Sequence, residues 1–170
     1  KYLMLCCNRQ WGKTTAIAIK SLYSALHTPN LSICVISRTK EQAGLLIEKV
    51  NDAAIDLGCP VRRVLGQRHS FLFPNGSRIV AVPHDADTSA GRTAHILVID
   101  EAARVSDKVF FTVSRFVTRT NGRIWLLSTP HRQTGFFYNH WHDRDTVWTR
   151  VFSNVHDCPD IDPDYLALQR

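Results

Sequence analysis

Two short clusters in this 170-residue chain have the composition for chemistry on a polyphosphate. Gly12-Lys13-Thr14 lies where the apolar run Tyr2-Leu3-Met4-Leu5 gives way to Ala16-Ile17-Ala18-Ile19, with Leu22 and Leu26 following at helical spacing. A loop between strand and helix turns successive backbone N–H groups onto one concave site, and the helix N-terminus adds partial positive charge. Lys13 can reach the terminal phosphates as a point charge, and the Thr14 hydroxyl can ligate Mg²⁺. Asn8, Gln10, Trp11, Gly12 and Thr15 are expected to surround the phosphates. The general pattern is G-x-x-x-x-G-K-[ST], and Cys7 stands here at the first glycine. Taken alone, the triplet is explained as well by a lysine on the first turn of a surface helix.

The second cluster is Asp100-Glu101, which ends the apolar run Ile96-Leu97-Val98-Ile99. A buried strand of this kind delivers its last residues to the carboxyl edge of an open α/β sheet, where ligands bind. An acidic start to the following helix is the competing explanation; co-occurrence with Gly12-Lys13-Thr14 favours the site. Mg²⁺ takes one or two protein oxygens beside phosphate and water, which suits Thr14 and Asp100. Glu101 can orient and deprotonate an attacking water. A third buried strand, Arg123 to Ser128 with Ile124 to Leu127 apolar, runs into Thr129-Pro130. Its hydroxyls suit a γ-phosphate sensor and equally a Ser/Thr turn before proline.

The elements that must hold these residues follow from periodicity. Residues 14–27 read as a helix stopped by Thr28-Pro29-Asn30, and Leu31 to Ser37 as a buried strand. A helix then starts near Arg38–Gln42 and runs to Gly58, with Ala43, Leu46, Ile47, Val50, Ala54 and Leu57 on one face. Asn75-Gly76 between β-rich segments predicts an antiparallel hairpin over about 70–82. Residues 102–117 read as helical with a break near Ser106-Asp107, 123–128 as a strand, 146–152 as a last strand, and 158–168 as a loop and short helix. Arg62, Arg63, Arg68, His69, Arg78 and His84 crowd one stretch, either as a solvated face or as a DNA contact. Gly135-Phe136-Phe137-Tyr138 with Trp141 suits core packing better than base stacking.

Composition narrows the class. A chain of this length supports one domain with a full core. Net charge of +6 and a pI near 9.3 favour an acidic partner, nucleic acid being the commonest. Five cysteines without a paired framework suit a reducing compartment. No apolar run approaches the ~18 residues of a membrane span. His140, His142, His156 and Cys158 lack the four-ligand spacing of structural zinc, and Cys6 and Cys7 read as strand filling rather than nucleophiles. Lys1 stands immediately before the first strand, so the chain reads as a piece of something longer.

Together, the motifs resemble the large terminase subunit of tailed bacteriophages. Cys6 to Thr14 is similar to that family's Walker A variant, in which Arg-Gln precedes Gly-Lys-Ser/Thr and the first glycine is often absent. Ile96 to Val105 resembles its Walker B segment, Leu126-Leu127-Ser128-Thr129-Pro130 its coupling motif, and Gly135 to Tyr138 and Cys158-Pro159 sit where the family has similar residues. The resemblance implies a P-loop NTPase fold, three-layer α/β/α with a mostly parallel central sheet, to which the hairpin over about 70–82 is appended. It implies an ATPase domain over 1–155, truncated at its N-terminus, and over 156–170 the start of a linker toward a nuclease domain that is absent. The implied cofactors are ATP and Mg²⁺. Implied roles are phosphate and Mg²⁺ binding by Lys13 and Thr14, Mg²⁺ binding by Asp100 and general base catalysis by Glu101. Arg9 would sense the γ phosphate, and Ser128-Thr129 would link hydrolysis to motion. Arg92 is the candidate arginine finger, although its order, Ala90-Gly91-Arg92, departs from the family's Arg-Gly. Implied partners are double-stranded DNA, the portal protein, the small terminase subunit and neighbouring copies in a ring, without a membrane, in the cytoplasm of an infected or prophage-bearing bacterium. The fragment alone is expected to be weak or inactive. The alternatives are a helicase-like P-loop ATPase and a non-catalytic nucleotide- or DNA-binding module of the same fold.

Overall fold

Alternation of apolar residues between two sheet faces organises this chain. The computed structural model describes residues 2–66, 69–82, 92–143 and 147–158. The elements are β1 (Tyr2–Cys7), α1 (Lys13–His27), β2 (Ser32–Ile36), α2 (Lys40–Asp56), β3 (Arg62–Arg63), β4 (Ser70–Leu72), β5 (Arg78–Ala81), β6 (Ile96–Ile99), α3 (Asp107–Ser114), β7 (Arg123–Ser128), α4 (Phe136–His142) and β8 (Trp148–Ser153). The polar loop at 83–91, the helix expected near 164–168, Thr146, Arg68 and His84 lie outside the described residues.

All eight strands join one sheet in the order β3-β4-β5-β2-β6-β7-β1-β8. The six from β5 to β8 in that order pair in parallel, while β3 and β4 are antiparallel at one edge. Successive side chains leave a strand on opposite faces. Leu5, Ile33, Val35, Ile96, Val98, Trp125 and Leu127 thus meet the inward stripes of α1 and α2. Their neighbours Met4, Cys34, Ile36, Leu97, Ile99, Ile124 and Leu126 meet α3, α4 and Trp148 on the other side. The result is the expected three-layer α/β/α arrangement, with near-continuous apolar strands because both faces are covered.

The Asn75-Gly76 hairpin forms between β4 and β5, and Gly76 takes φ 83°, a left-handed conformation suited to glycine. It is stitched into the fold. Asn75 Nδ2 donates to the Ala25 carbonyl at 2.7 Å, Ser77 Oγ donates to that of Thr28 at 2.7 Å, and β5 pairs in parallel with β2. The hairpin extends the sheet past the second strand.

Helix starts follow local chemistry. Thr39 caps α2, its Oγ1 accepting from Gln42 N–H at 3.2 Å, and Ser106 caps α3 at the break expected near Ser106-Asp107. Two short 3-10 turns, Ala102–Arg104 and Arg115–Val117, flank α3 and complete that helical region. Thr39→Ala is expected to cost about 1 kcal/mol of stability, read by urea unfolding, because an orphan N–H at the helix start loses its acceptor. An unchanged midpoint would show that water replaces the cap fully.

Candidate functional site at the carboxyl edge

Because β1, β6 and β7 are parallel, the residues following each emerge on one edge of the sheet. β7 runs between β6 and β1. In register, Cys6 lies beside Ser128, and Ile99 beside Leu126. The insertion of β7 carries Ser128-Thr129 between the Gly-Lys-Thr loop and Asp100-Glu101.

Cys7 is the last residue of β1, fully buried and level with Ser153 of β8. The strand therefore continues through the position where the general pattern has glycine, and an apolar side chain fills the core there. The special backbone conformation falls later, at Gln10 (φ 63°) and Gly12 (φ 85°), immediately before α1. Burial, the leading cause, pushes the Cys6 and Cys7 thiols above their usual range, which disfavours a nucleophilic thiolate at either.

Lys13 starts α1, is only 8% exposed, and holds its ammonium 3.9 Å from Glu101 Oε1. One residue on, the Thr14 hydroxyl hydrogen-bonds the Asp100 carboxylate. Asp100 is buried at the end of β6 and accepts the Glu101 N–H on Oδ1 at 2.9 Å. Burial pushes its carboxyl above the usual range, with the Glu101 charge adding; the Glu101 N–H, Lys13 and Thr14 oppose. A buried carboxylate and a hydroxyl in contact form a hard oxygen pair, the donor chemistry that suits Mg²⁺.

Glu101 itself adopts φ 51° and ψ 41°. Left-handed backbone at a non-glycine residue costs of order 1–3 kcal/mol and persists where surroundings over-determine it. Four non-glycine residues show positive φ among the described residues. Asn30 and Asn121 sit at turns, which asparagine tolerates. The other two, Gln10 and Glu101, line one cavity of about 380 Å³ with Arg9, Lys13 and Thr129. The Glu101 carboxylate lies between two cations, with Arg104 Nε 3.7 Å from Oε2, and Oε2 is buried with no hydrogen bond. An acceptor held this way is free to take a proton or orient a water.

Not every expected residue faces that cavity. The Thr15 hydroxyl accepts from Lys49 of α2 at 3.0 Å and so ties α1 to its neighbour. Ser128 Oγ accepts the Ala103 N–H at 3.2 Å, joining the end of β7 to the turn that follows Glu101. Asn8 N–H donates to the Ser153 carbonyl at 3.1 Å, and Trp11 packs against the α1/α2 side of the core. Arg92 is exposed before β6 and does not line the cavity. Arg38, Gln42 and Arg104 do line it, and none was singled out from sequence. Arg38 follows β2, the neighbour of β6, so the strand-end logic applied to Asp100 could have found it.

The basic stretch around β3 to β5 is partly compensated within the fold. Arg63 makes two bonds to Glu48, at 3.0 and 2.7 Å, and lies over Phe71; Arg78 Nε donates to Ser32 Oγ at 3.1 Å. For these two arginines a structural role suffices. Core packing also accounts for the aromatic run: Phe136 and Phe137 are buried on α4, and Phe110 and Phe136 stack with centroids 4.0 Å apart.

Comparison with known proteins gives this geometry a family. Residues 4–166 match the family described as terminase large subunit, T4likevirus-type, N-terminal. The probable terminase large subunit of Enterobacteria phage P7 is 34% identical over 96 residues, 51% of this chain and 19% of that protein. The chain thus spans about a fifth of that relative. The fold is similar to the Thermus phage P74-26 large terminase ATPase domain, with TM-score 0.75, 17% identity, and coverage of 89% of this chain and 75% of that one. It is also similar to the large terminase of a thermophilic bacteriophage in complex with ADP, with TM-score 0.80, 11% identity, and coverage of 98% and 44%. On the strength of the match over residues 4–166, this chain belongs to the T4likevirus-type terminase large subunit family, in its N-terminal region.

Proposed function

We propose that this chain is the ATPase part of a DNA-packaging motor, hydrolysing ATP to ADP and orthophosphate to drive double-stranded DNA into a capsid. One observation carries this reading: the Lys13 ammonium, the Thr14–Asp100 pair and the doubly flanked Glu101 carboxylate share one edge of the sheet. Family membership and the ADP bound by the thermophilic phage's terminase support it.

In this mechanism, backbone N–H groups of the loop before α1 hold the phosphates and Lys13 balances their charge. Thr14 and Asp100 would hold Mg²⁺, which when bound neutralises charge on the transferred phosphoryl group. Glu101 accepts a proton from the attacking water. Arg9 and Thr129 are on the cavity wall and would contact the γ phosphate, and the Ser128–Ala103 hydrogen bond would pass movement at Glu101 to β7. Arg92 serves a neighbouring copy in a ring. Residues 156–170 lead toward a nuclease domain, and the portal protein and small subunit are the remaining partners, in the host cytoplasm. Among the described residues no helix is long and apolar enough to cross a membrane.

The test is Mg²⁺-dependent ATP turnover by the full-length protein, alone and with duplex DNA, for wild type and Arg9→Ala. Arg9 is exposed and has no hydrogen-bond or carboxylate partner among the described residues, so its removal should leave thermal unfolding unchanged. Turnover should fall by ~10²- to 10³-fold, the usual loss for one preorganised donor at a transition state. Absence of nucleotide binding in the wild type would refute the ATPase reading, and collapse of the fold in Arg9→Ala would make Arg9 a structural residue.

A further inference from the structure

Beside the Lys13–Glu101 cavity lies a second one of about 370 Å³, between the turn that follows Glu101 and the segment joining β7 to α4. The two cavities share Arg38 and Arg104 as a common wall. The second adds His131 and Arg132, immediately past Thr129-Pro130. Three guanidinium groups, Arg38, Arg104 and Arg132, thus line it. The His131 imidazole is held below its usual range first by partial desolvation and then by the charges of Arg104 and Arg132, with Arg38 adding; Glu101 opposes them.

A single carboxylate on the lining offsets only part of this charge. Among the described residues, neither Arg38 nor Arg132 has a carboxylate within salt-bridge distance or a hydrogen bond. Asp107 is the one acid on the lining, and its Oδ1 already accepts the Phe136 N–H at 2.7 Å. Two guanidinium groups without internal partners, Arg38 and Arg132, beside Arg104 on one concave lining form an environment for a multivalent anion, and the guanidinium fork matches phosphate geometry.

We propose that this second cavity is a binding site for orthophosphate, which it receives from the hydrolytic cavity across the Arg38–Arg104 wall. The inference rests on the ATPase reading for the source of the phosphate. Orthophosphate leaving Lys13 repels the Glu101 carboxylate and is drawn toward the unpartnered cations of the second cavity. Arg132 holds it there, and His131 donates to it when its tautomer presents N–H. The anion then sits against Thr134 and the start of α4. Release of product thus has an intermediate stop, contacted by residues just past Ser128-Thr129.

The experiment is equilibrium dialysis of the full-length protein against radiolabelled orthophosphate, with and without a saturating non-hydrolysable ATP analogue. Wild type is expected to retain one phosphate when the analogue is bound. Arg132→Ala is expected to weaken that phosphate by about tenfold, the loss of one charge-assisted contact, with analogue affinity unchanged. Arg132 is exposed, and a His131→Ala variant in parallel guards against a local fold defect in either. Displacement of all phosphate by the analogue, or wild-type phosphate affinity in both variants, overturns the proposal. A short DNA duplex that displaces the phosphate and loses affinity equally in Arg132→Ala would also overturn it, since the cavity would then take the DNA backbone. Analogue binding without phosphate binding refutes this inference alone; Arg132-dependent phosphate binding by a protein that binds no nucleotide supports the anion site and refutes the ATPase reading.

Discussion

Glu101→Gln in the full-length protein is expected to lower ATP turnover by ~10²- to 10⁴-fold, the contribution of a positioned general base, while nucleotide affinity holds or improves. The substitution keeps the size of the side chain and removes its charge. Lys13 and Arg104 lie 3.9 and 3.7 Å from the Glu101 oxygens, so the carboxylate competes with phosphate for both cations. Removing it leaves more positive potential for the triphosphate, and the sign of the affinity change follows from Coulomb's law. A steady-state phosphate-release assay and a titration with a fluorescent nucleotide analogue separate the two effects. Unchanged turnover would remove Glu101 from the chemistry; lost nucleotide binding would mean that its αL backbone shapes the loop rather than the reaction.

Asp100→Asn should separate stability from activity in the opposite sense. The Asp100 carboxyl is raised by burial, so the folded state binds its proton more tightly than the unfolded chain does. A raised carboxyl favours the fold at low pH, and that contribution is lost as pH rises through the folded-state value. At neutral pH the wild type therefore carries the cost of a buried charge. The side-chain amide of the variant keeps an oxygen for the Glu101 N–H, which donates to Asp100 at 2.9 Å in the wild type, and carries no charge. Without nucleotide or Mg²⁺, thermal unfolding of the variant at neutral pH should be unchanged or higher, and Mg²⁺-dependent turnover should fall by at least ~10²-fold, since the proposed hard-cation site loses its charged ligand. A clear drop in thermal stability of the metal-free variant would show that the ionised carboxylate is structurally required.

Legibility varied with the range of the interaction. β7 matches the expected 123–128, and the break before α3 falls at Ser106 as expected, because an apolar run and a capping serine are local signals. Gly12, Lys13, Thr14, Asp100 and Glu101 were legible as a set because each follows a strand whose carboxyl end can be read from the chain. Thr15 was taken as part of the same loop, yet helical geometry turns it toward α2 and Lys49. Arg63 and Arg78 looked like free positive charge until Glu48 and Ser32, distant in sequence, came beside them.

Which residues end strands and start helices was decided by local pattern: periodicity, caps and turn residues act within a few positions, so the Gly-Lys-Thr loop and the Asp-Glu pair were both visible in the sequence. Strand order was a different matter. Every parallel crossover here is long enough to reach several neighbours, and similar apolar runs satisfy either side of β1. Packing of both sheet faces set β7 between β1 and β6. That placement brings Thr129 to the Lys13–Glu101 cavity, ties Ser128 to Ala103, and opens the second cavity beyond Arg38 and Arg104.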